Sequence, residues 1–125
     1  MASAFSKKSS KGPSIRLKGA KKMRKKELPA FTRQMGAMYK AGIPVVQSLI
    51  AVEDQSTNLQ FKPVIAGLRQ HVEAGETFSE ACMLYPEIFD DLYVHMIRAG
   101  EAGGIMAETM SRMADYMDAS TKMAN

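Results

Sequence analysis

Residues 92–117 read LYVHMIRAGEAGGIMAETMSRMADYM, two apolar helical segments on either side of a glycine-rich turn. Before the glycines, Leu92, Tyr93, Met96 and Ile97 recur at helical spacing, and after them Ile105, Met106, Met110, Met113 and Met117 do the same. Two amphipathic helices joined by so short a loop must fold back on each other. Gly100 stands where a helix C-terminus favours a left-handed residue, and Gly103 and Gly104 permit a tight reversal without Cβ clashes. Glu101 is the one ionisable side chain in this turn. It reads as a solvated turn residue or as a charge facing the positive N-terminal end of the next helix. The sharper alternative is a contact for a partner or a cation. With no apolar neighbour in the loop, it is expected to contribute little to folding.

Upstream, the same 3.6-residue logic repeats. Leu28, Phe31, Met35, Met38 and Tyr39 predict a helix from Leu28 to about Lys40, with Pro29 in its first turn, where a missing N–H costs nothing. Gly42 stops this helix and Pro44 starts the next, whose buried stripe is Val45, Val46, Leu49 and Ile50. Phe61, Val64, Ile65, Leu68 and Val72 give a third, ended by Gly75. Thr77-Phe78-Ser79-Glu80 has the form of a capping box that opens a short fourth helix, which Pro86 prevents from continuing. Asp90 is placed to cap the fifth. Strand alternation is absent, so the expected fold is all-α, a compact antiparallel bundle of about six helices with Phe31, Leu49, Ile65 and Leu68 in its core.

A chain of 125 residues has room for one domain and one core. Its net charge of +4 is unevenly divided: residues 1–26 carry ten Lys or Arg and no acid, leaving seven basic residues against all thirteen acids in residues 27–125, a net of −6. The first 26 residues are rich in Ser, Lys and Gly without an apolar period, and are expected to form a disordered basic arm before a helical domain at 27–125. The cluster Lys21, Lys22, Arg24, Lys25 and Lys26 reads as a solvated linker or as a contact for an anionic membrane surface. Nucleic acid is disfavoured, because a binder normally adds aromatic stacking or a groove-reading helix and spreads its cations over the folded face. The single cysteine, Cys82, permits no intrachain disulfide and reads as a small buried residue. No run approaches the roughly 18 apolar residues of a membrane helix.

Catalytic chemistry finds little support. The acids come as scattered pairs at helix ends, without the alternating oxygen ligands of a calcium loop. His71 and His95 have no nucleophile at recognisable spacing. Residues 100–104 lack both the Lys-Ser/Thr and the preceding strand of a phosphate-binding loop. The methionine stripe Met106, Met110, Met113 and Met117 is a core face that, on so long a helix, could extend into a partner contact. No cofactor is expected.

Phe31-Thr32-Arg33-Gln34-Met35, Lys40-Ala41-Gly42-Ile43-Pro44, Gly75-Glu76-Thr77-Phe78-Ser79-Glu80-Ala81, Pro86 with Phe89, and Ala99-Gly100-Glu101-Ala102-Gly103-Gly104 together resemble the type II secretion system F domain. Their order and spacing over about residues 27–121 make the set specific, with Ile105-Met106 a departure where a Leu is usual. The resemblance implies a small helical bundle without catalysis of its own, in the inner-membrane platform protein of type IV pilus or type II secretion machines. It implies as partners a cytoplasmic assembly ATPase and other inner-membrane assembly proteins, with self-association as dimer or higher. It places the domain at the cytoplasmic face of the bacterial inner membrane, as the first soluble domain of a longer membrane protein. Gly42, Pro44, Gly100, Gly103 and Gly104 would be its structural turns. The competing reading from another class is a basic-armed adaptor that binds anionic lipid or nucleic acid through residues 1–26.

Overall fold

The computed structural model of the chain describes residues 14–124. Six helices follow one another: α1 (Ala20–Lys40), α2 (Val45–Gln55), α3 (Lys62–Glu73), α4 (Phe78–Cys82), α5 (Asp91–Gly103) and α6 (Met106–Ala124). Among the described residues there is no strand, and the architecture is all-α. The two longest helices, α1 and α6, lie antiparallel along each other; Arg33 reaches Asp115 and Asp118, and Gly36 faces Met110. The α5–α6 hairpin closes one side. The α2–α3 pair and the short α4 close the other.

Phe31 is the hub of the core. From α1 its ring meets Phe61 edge-on at 5.6 Å, Phe78 at 6.4 Å and Phe89 at 6.1 Å, and Phe89 continues to Tyr93 at 5.2 Å. One side chain thereby ties α1 to the segments that open α3, α4 and α5. Leu49, Ile65 and Leu68 are buried with it, as the helical spacing predicted. Cys82 is likewise buried. The polar groups enclosed here are satisfied: Thr32 donates its hydroxyl to the Leu28 carbonyl at 2.7 Å and shares a 2.8 Å hydrogen bond with the Tyr93 hydroxyl. Among the described residues no buried side-chain polar atom lacks a partner, as a well-packed interior requires.

Signals that depend on neighbours within a single turn are realised as the spacing predicts. Thr77 and Glu80 form the reciprocal capping box, Thr77 Oγ1 accepting from the Glu80 N–H at 3.1 Å and Glu80 Oε1 from the Thr77 N–H at 2.8 Å. Asp90 caps α5 by accepting from the Tyr93 N–H at 2.9 Å. Gly42 is left-handed at φ 80°, and Pro44 is the N-cap of α2, one residue ahead of its expected place.

Three expectations are corrected. The basic arm does not run to residue 26: α1 begins at Ala20, so Lys21, Lys22, Arg24, Lys25 and Lys26 are helical, and Pro29 lies inside the helix instead of in its first turn. An interior proline forfeits one backbone hydrogen bond, yet the turns before it are pinned by tertiary contacts. Ala20 and Met23 are buried, Arg24 pairs with Asp90, and the chain ahead is held by Ile15 N–H donating to Leu84 O at 2.8 Å and Leu17 N–H to Glu87 Oε1 at 3.0 Å. The part of the expected arm at residues 1–13 lies outside the described residues.

Second, Gly100 is not the left-handed terminus of α5. The helix runs on to Gly103, and Gly104, at φ 68°, takes the left-handed position. Gly100 has a different reason to be glycine: a Cβ there would stand 2.8 Å from Thr109 Oγ1 and 2.9 Å from Met106 Sδ. Its bare backbone is what lets α6 approach α5.

Third, the buried face of α5 is Tyr93, Val94, Ile97 and Gly100, while Leu92 and Met96 face outward. The Tyr93 contacts to Thr32 and Phe89 select this face. Ile50 and Ile105, also expected in apolar stripes, are exposed.

Candidate functional site

The turns singled out in the sequence come together at one end of the α1–α6 pair. Tyr39, Gly42, Ile43, Pro44 and Val45 form one wall of a concavity of about 510 Å³; Val72, Glu76, Thr77 and Phe78 form another, and Glu101 and Met106 the third. Three stretches far apart in sequence, 40–44, 75–81 and 99–104, therefore meet around a single groove. Gly103 and Gly104 lie beside it in the α5–α6 turn. Their glycine character closes that turn instead of lining the groove.

Glu101 is neither a free turn residue nor directed at the next helix. It sits on α5, and its carboxylate reaches across to α4, accepting the Ser79 N–H at 2.9 Å through one oxygen and the Ser79 Oγ–H at 2.7 Å through the other. Ser79 is in the first turn of α4, where backbone N–H groups have no helical partner. The capping box supplies Glu80, and Glu101 supplies Ser79. A carboxylate at this position also faces the positive end of the helix, so Glu101 ties α5 to α4 and satisfies one of the N–H groups at the start of α4. The contact spans 22 residues, and no pattern within a turn reveals it.

The charge of Glu101 marks its neighbours. Burial, and then the Glu101 carboxylate, push the Tyr39 hydroxyl well above its usual range, and the same two causes raise the Cys82 thiol. Both stay protonated and neutral near pH 7. Among the described residues no cluster of three or more His, Cys, Asp or Glu side chains is arranged to hold a metal ion. His71 Nδ1 lies 3.3 Å from Glu76 Oε2 on an exposed edge, and His95 is exposed on α5.

The other end of the α1–α6 pair differs in character. A groove of about 600 Å³ is lined by Leu92, Tyr93, Met96, Met113, Tyr116 and Met117, with Arg24, Asp90 and Arg112 on its rim. It adjoins a second concavity in which Lys21, Arg24 and Lys25 face Tyr116, Met117 and Ser120. Met110 and Met113 of the expected methionine stripe are buried, and Met106 and Met117 are half-buried at its two ends, one beside each groove. Among the described residues no helix is long and apolar enough to cross a membrane.

Fold and grooves together define a small all-α bundle domain with a groove at each end of the α1–α6 pair and a further concavity of about 570 Å³ along α5, lined by Met83, Pro86, Phe89, Val94, His95 and Arg98. Residues 31–125 match the model of the family described as type II secretion system (T2SS), protein F. The chain is 40% identical over 98 residues to the type IV pilus assembly protein PilC of Myxococcus xanthus, which covers 78% of this chain and 24% of that protein. It is 37% identical over 93 residues to the PilC of Thermus thermophilus, covering 74% and 23%. It is 33% identical over 97 residues to the type II secretion system protein F of Vibrio cholerae, covering 78% and 24%. The chain belongs to the type II secretion system protein F family. It spans about a quarter of the length of these curated relatives.

Proposed function

We propose that this domain is a non-catalytic scaffold of an inner-membrane platform protein in type IV pilus assembly or type II secretion, working at the cytoplasmic face of the membrane. In this role it links a cytoplasmic assembly ATPase to the membrane machinery. The observation that carries this reading is the convergence of the three motif stretches on one groove in a chain belonging to this family. A groove lined half by backbone turns and half by Tyr39, Val45, Val72 and Met106 offers shape and apolar area to a protein partner. The Glu101–Ser79 contact ties α5 to α4 and so holds the second and third walls of the groove together.

The test uses Pro44→Glu and Glu76→Arg, two exposed rim positions. Each is introduced into the full-length parent, and co-purification with the assembly ATPase is measured alongside pilus assembly or secretion. Loss of both with an unchanged helical melt supports the reading. Normal co-purification and normal assembly in both variants would show that the groove is not the coupling surface.

A further inference from the structure

We propose that the end of the domain formed by the first turns of α1 and the last turns of α6 docks on the surface of an anionic lipid bilayer. The lysines carry the charge and the Tyr116–Leu92–Met96 face enters the headgroup layer. This deepens the platform reading by naming the surface on which the domain rests, and its test involves neither the ATPase nor assembly.

The argument begins with charge. Lys18, Lys21, Lys22, Lys25 and Lys26 are all exposed, and among the described residues none is paired with an acid. The arginines of the same stretch are engaged: Arg16 lies 3.8 Å from Glu87, and Arg24 neutralises Asp90. Positions 21, 22, 25 and 26 fall on one broad face of a helix. Beyond residue 26 the balance reverses to −6. The acids at this end are engaged, Asp90 by Arg24, Asp115 and Asp118 by Arg33 and Glu27 by Asn58, so the five exposed lysines dominate its field and turn it toward a planar negative surface.

The apolar side chains supply the second observation. Tyr116 is 68% exposed and Leu92 60%, large values for residues beside a packed core; Tyr116 shares one concavity with Lys21 and Lys25 and the adjoining groove with Leu92 and Met96. Tyrosine with lysine is the pair favoured at the headgroup level, where the ring sits at the boundary and the amines extend to phosphates. Two other occupants fit less well. A second copy of the chain would set one cationic rim against another. An acidic peptide seated in the groove would meet Lys21 and Lys25, which line it, but not Lys22 and Lys26, which do not.

Those two pairs give the experiment. The full chain, with residues 1–13 unchanged, is floated with vesicles of phosphatidylcholine containing about 30% phosphatidylglycerol and with vesicles of phosphatidylcholine alone. Binding is expected only to the anionic vesicles and should fall steeply with salt. At about 1 kcal/mol per basic residue near a charged bilayer, Lys21→Ala/Lys25→Ala and Lys22→Ala/Lys26→Ala should each weaken binding about thirtyfold. The chain contains no tryptophan, so Tyr116→Trp introduces a single reporter whose emission should shift to the blue on anionic vesicles. Equal binding to both vesicle types, full binding by the Lys22/Lys26 variant, or an unshifted emission from the Tyr116→Trp variant overturns the proposal. Tight binding of an acidic helical peptide that depends on Lys21 and Lys25 alone would assign the groove to a protein instead. Circular dichroism melts of each variant exclude unfolding as the cause.

Discussion

Replacing Glu101 by alanine removes two charge-assisted hydrogen bonds at once, the 2.9 Å bond from the Ser79 N–H and the 2.7 Å bond from its hydroxyl. A hydrogen bond to a charged group contributes about 1.5–3 kcal/mol, and a buried donor left without a partner costs about 1–3 kcal/mol. Ser79 is only 2% exposed, so its N–H cannot turn to bulk water when the carboxylate is lost. Glu101 itself is partly exposed, which lowers the value of its charge. The net expectation is about 2–3 kcal/mol of lost stability, a fall in Tm on the order of 10 °C for a domain of this size. Glu101→Gln keeps one acceptor and should lose about half as much. The assay is thermal and urea unfolding followed by circular dichroism, with amide exchange at Ser79 as a local probe. The Ser79 amide should exchange faster in the alanine variant even at temperatures where the domain stays folded. A Tm within about 2 °C of the parent, with the Ser79 amide equally protected, would refute the capping role and return Glu101 to the free turn residue that its glycine surroundings suggest.

Other consequences are equally direct. Gly100→Ala places a Cβ against Thr109 and Met106, so it should destabilise by about 1–2 kcal/mol in denaturant unfolding despite alanine's better helix propensity; a stabilised variant would show that α6 yields freely there. Removing residues 1–26 strips Ala20, Met23 and the Arg24–Asp90 pair from the core's edge and should cost about 2–4 kcal/mol, read as an earlier urea midpoint, whereas an unchanged midpoint would mean the first turns of α1 add nothing. At high pH the domain should weaken. Burial raises Cys82, Tyr39 and Tyr93 above their ordinary values of 9.0 and 10.0, so each favours the fold in its neutral form. That contribution is intact below the unfolded values and is lost as pH rises above them. The urea midpoint should therefore be flat to about pH 8 and decline beyond about pH 9; a midpoint that rises with pH would contradict the burial of these groups.

What the sequence determined by itself was set by short-range physics. Six helices, the Thr77–Glu80 capping box, the Asp90 cap and the burial of Phe31, Leu49, Ile65, Leu68 and Cys82 all follow from 3.6-residue periodicity and from side chains that bond backbone groups within one turn. The resemblance to the F domain was legible for the same reason, because each of its stretches is a helix end or start that residue chemistry specifies locally. The tertiary structure decided the rest. Helix α1 extends through a segment of good helix formers that carries no clear apolar period, because Met23 and Ala20 find a core and Arg24 finds Asp90, 66 residues away. Helix α5 runs past Gly100 because the close approach of Thr109 and Met106, and not a left-handed turn, requires glycine at that position. Which face of α5 is buried was chosen by Thr32 and Phe89, and the role of Glu101 by Ser79. In each case the deciding free energy lies in a contact between distant residues, and local spacing carries no record of a partner that only folding brings within reach.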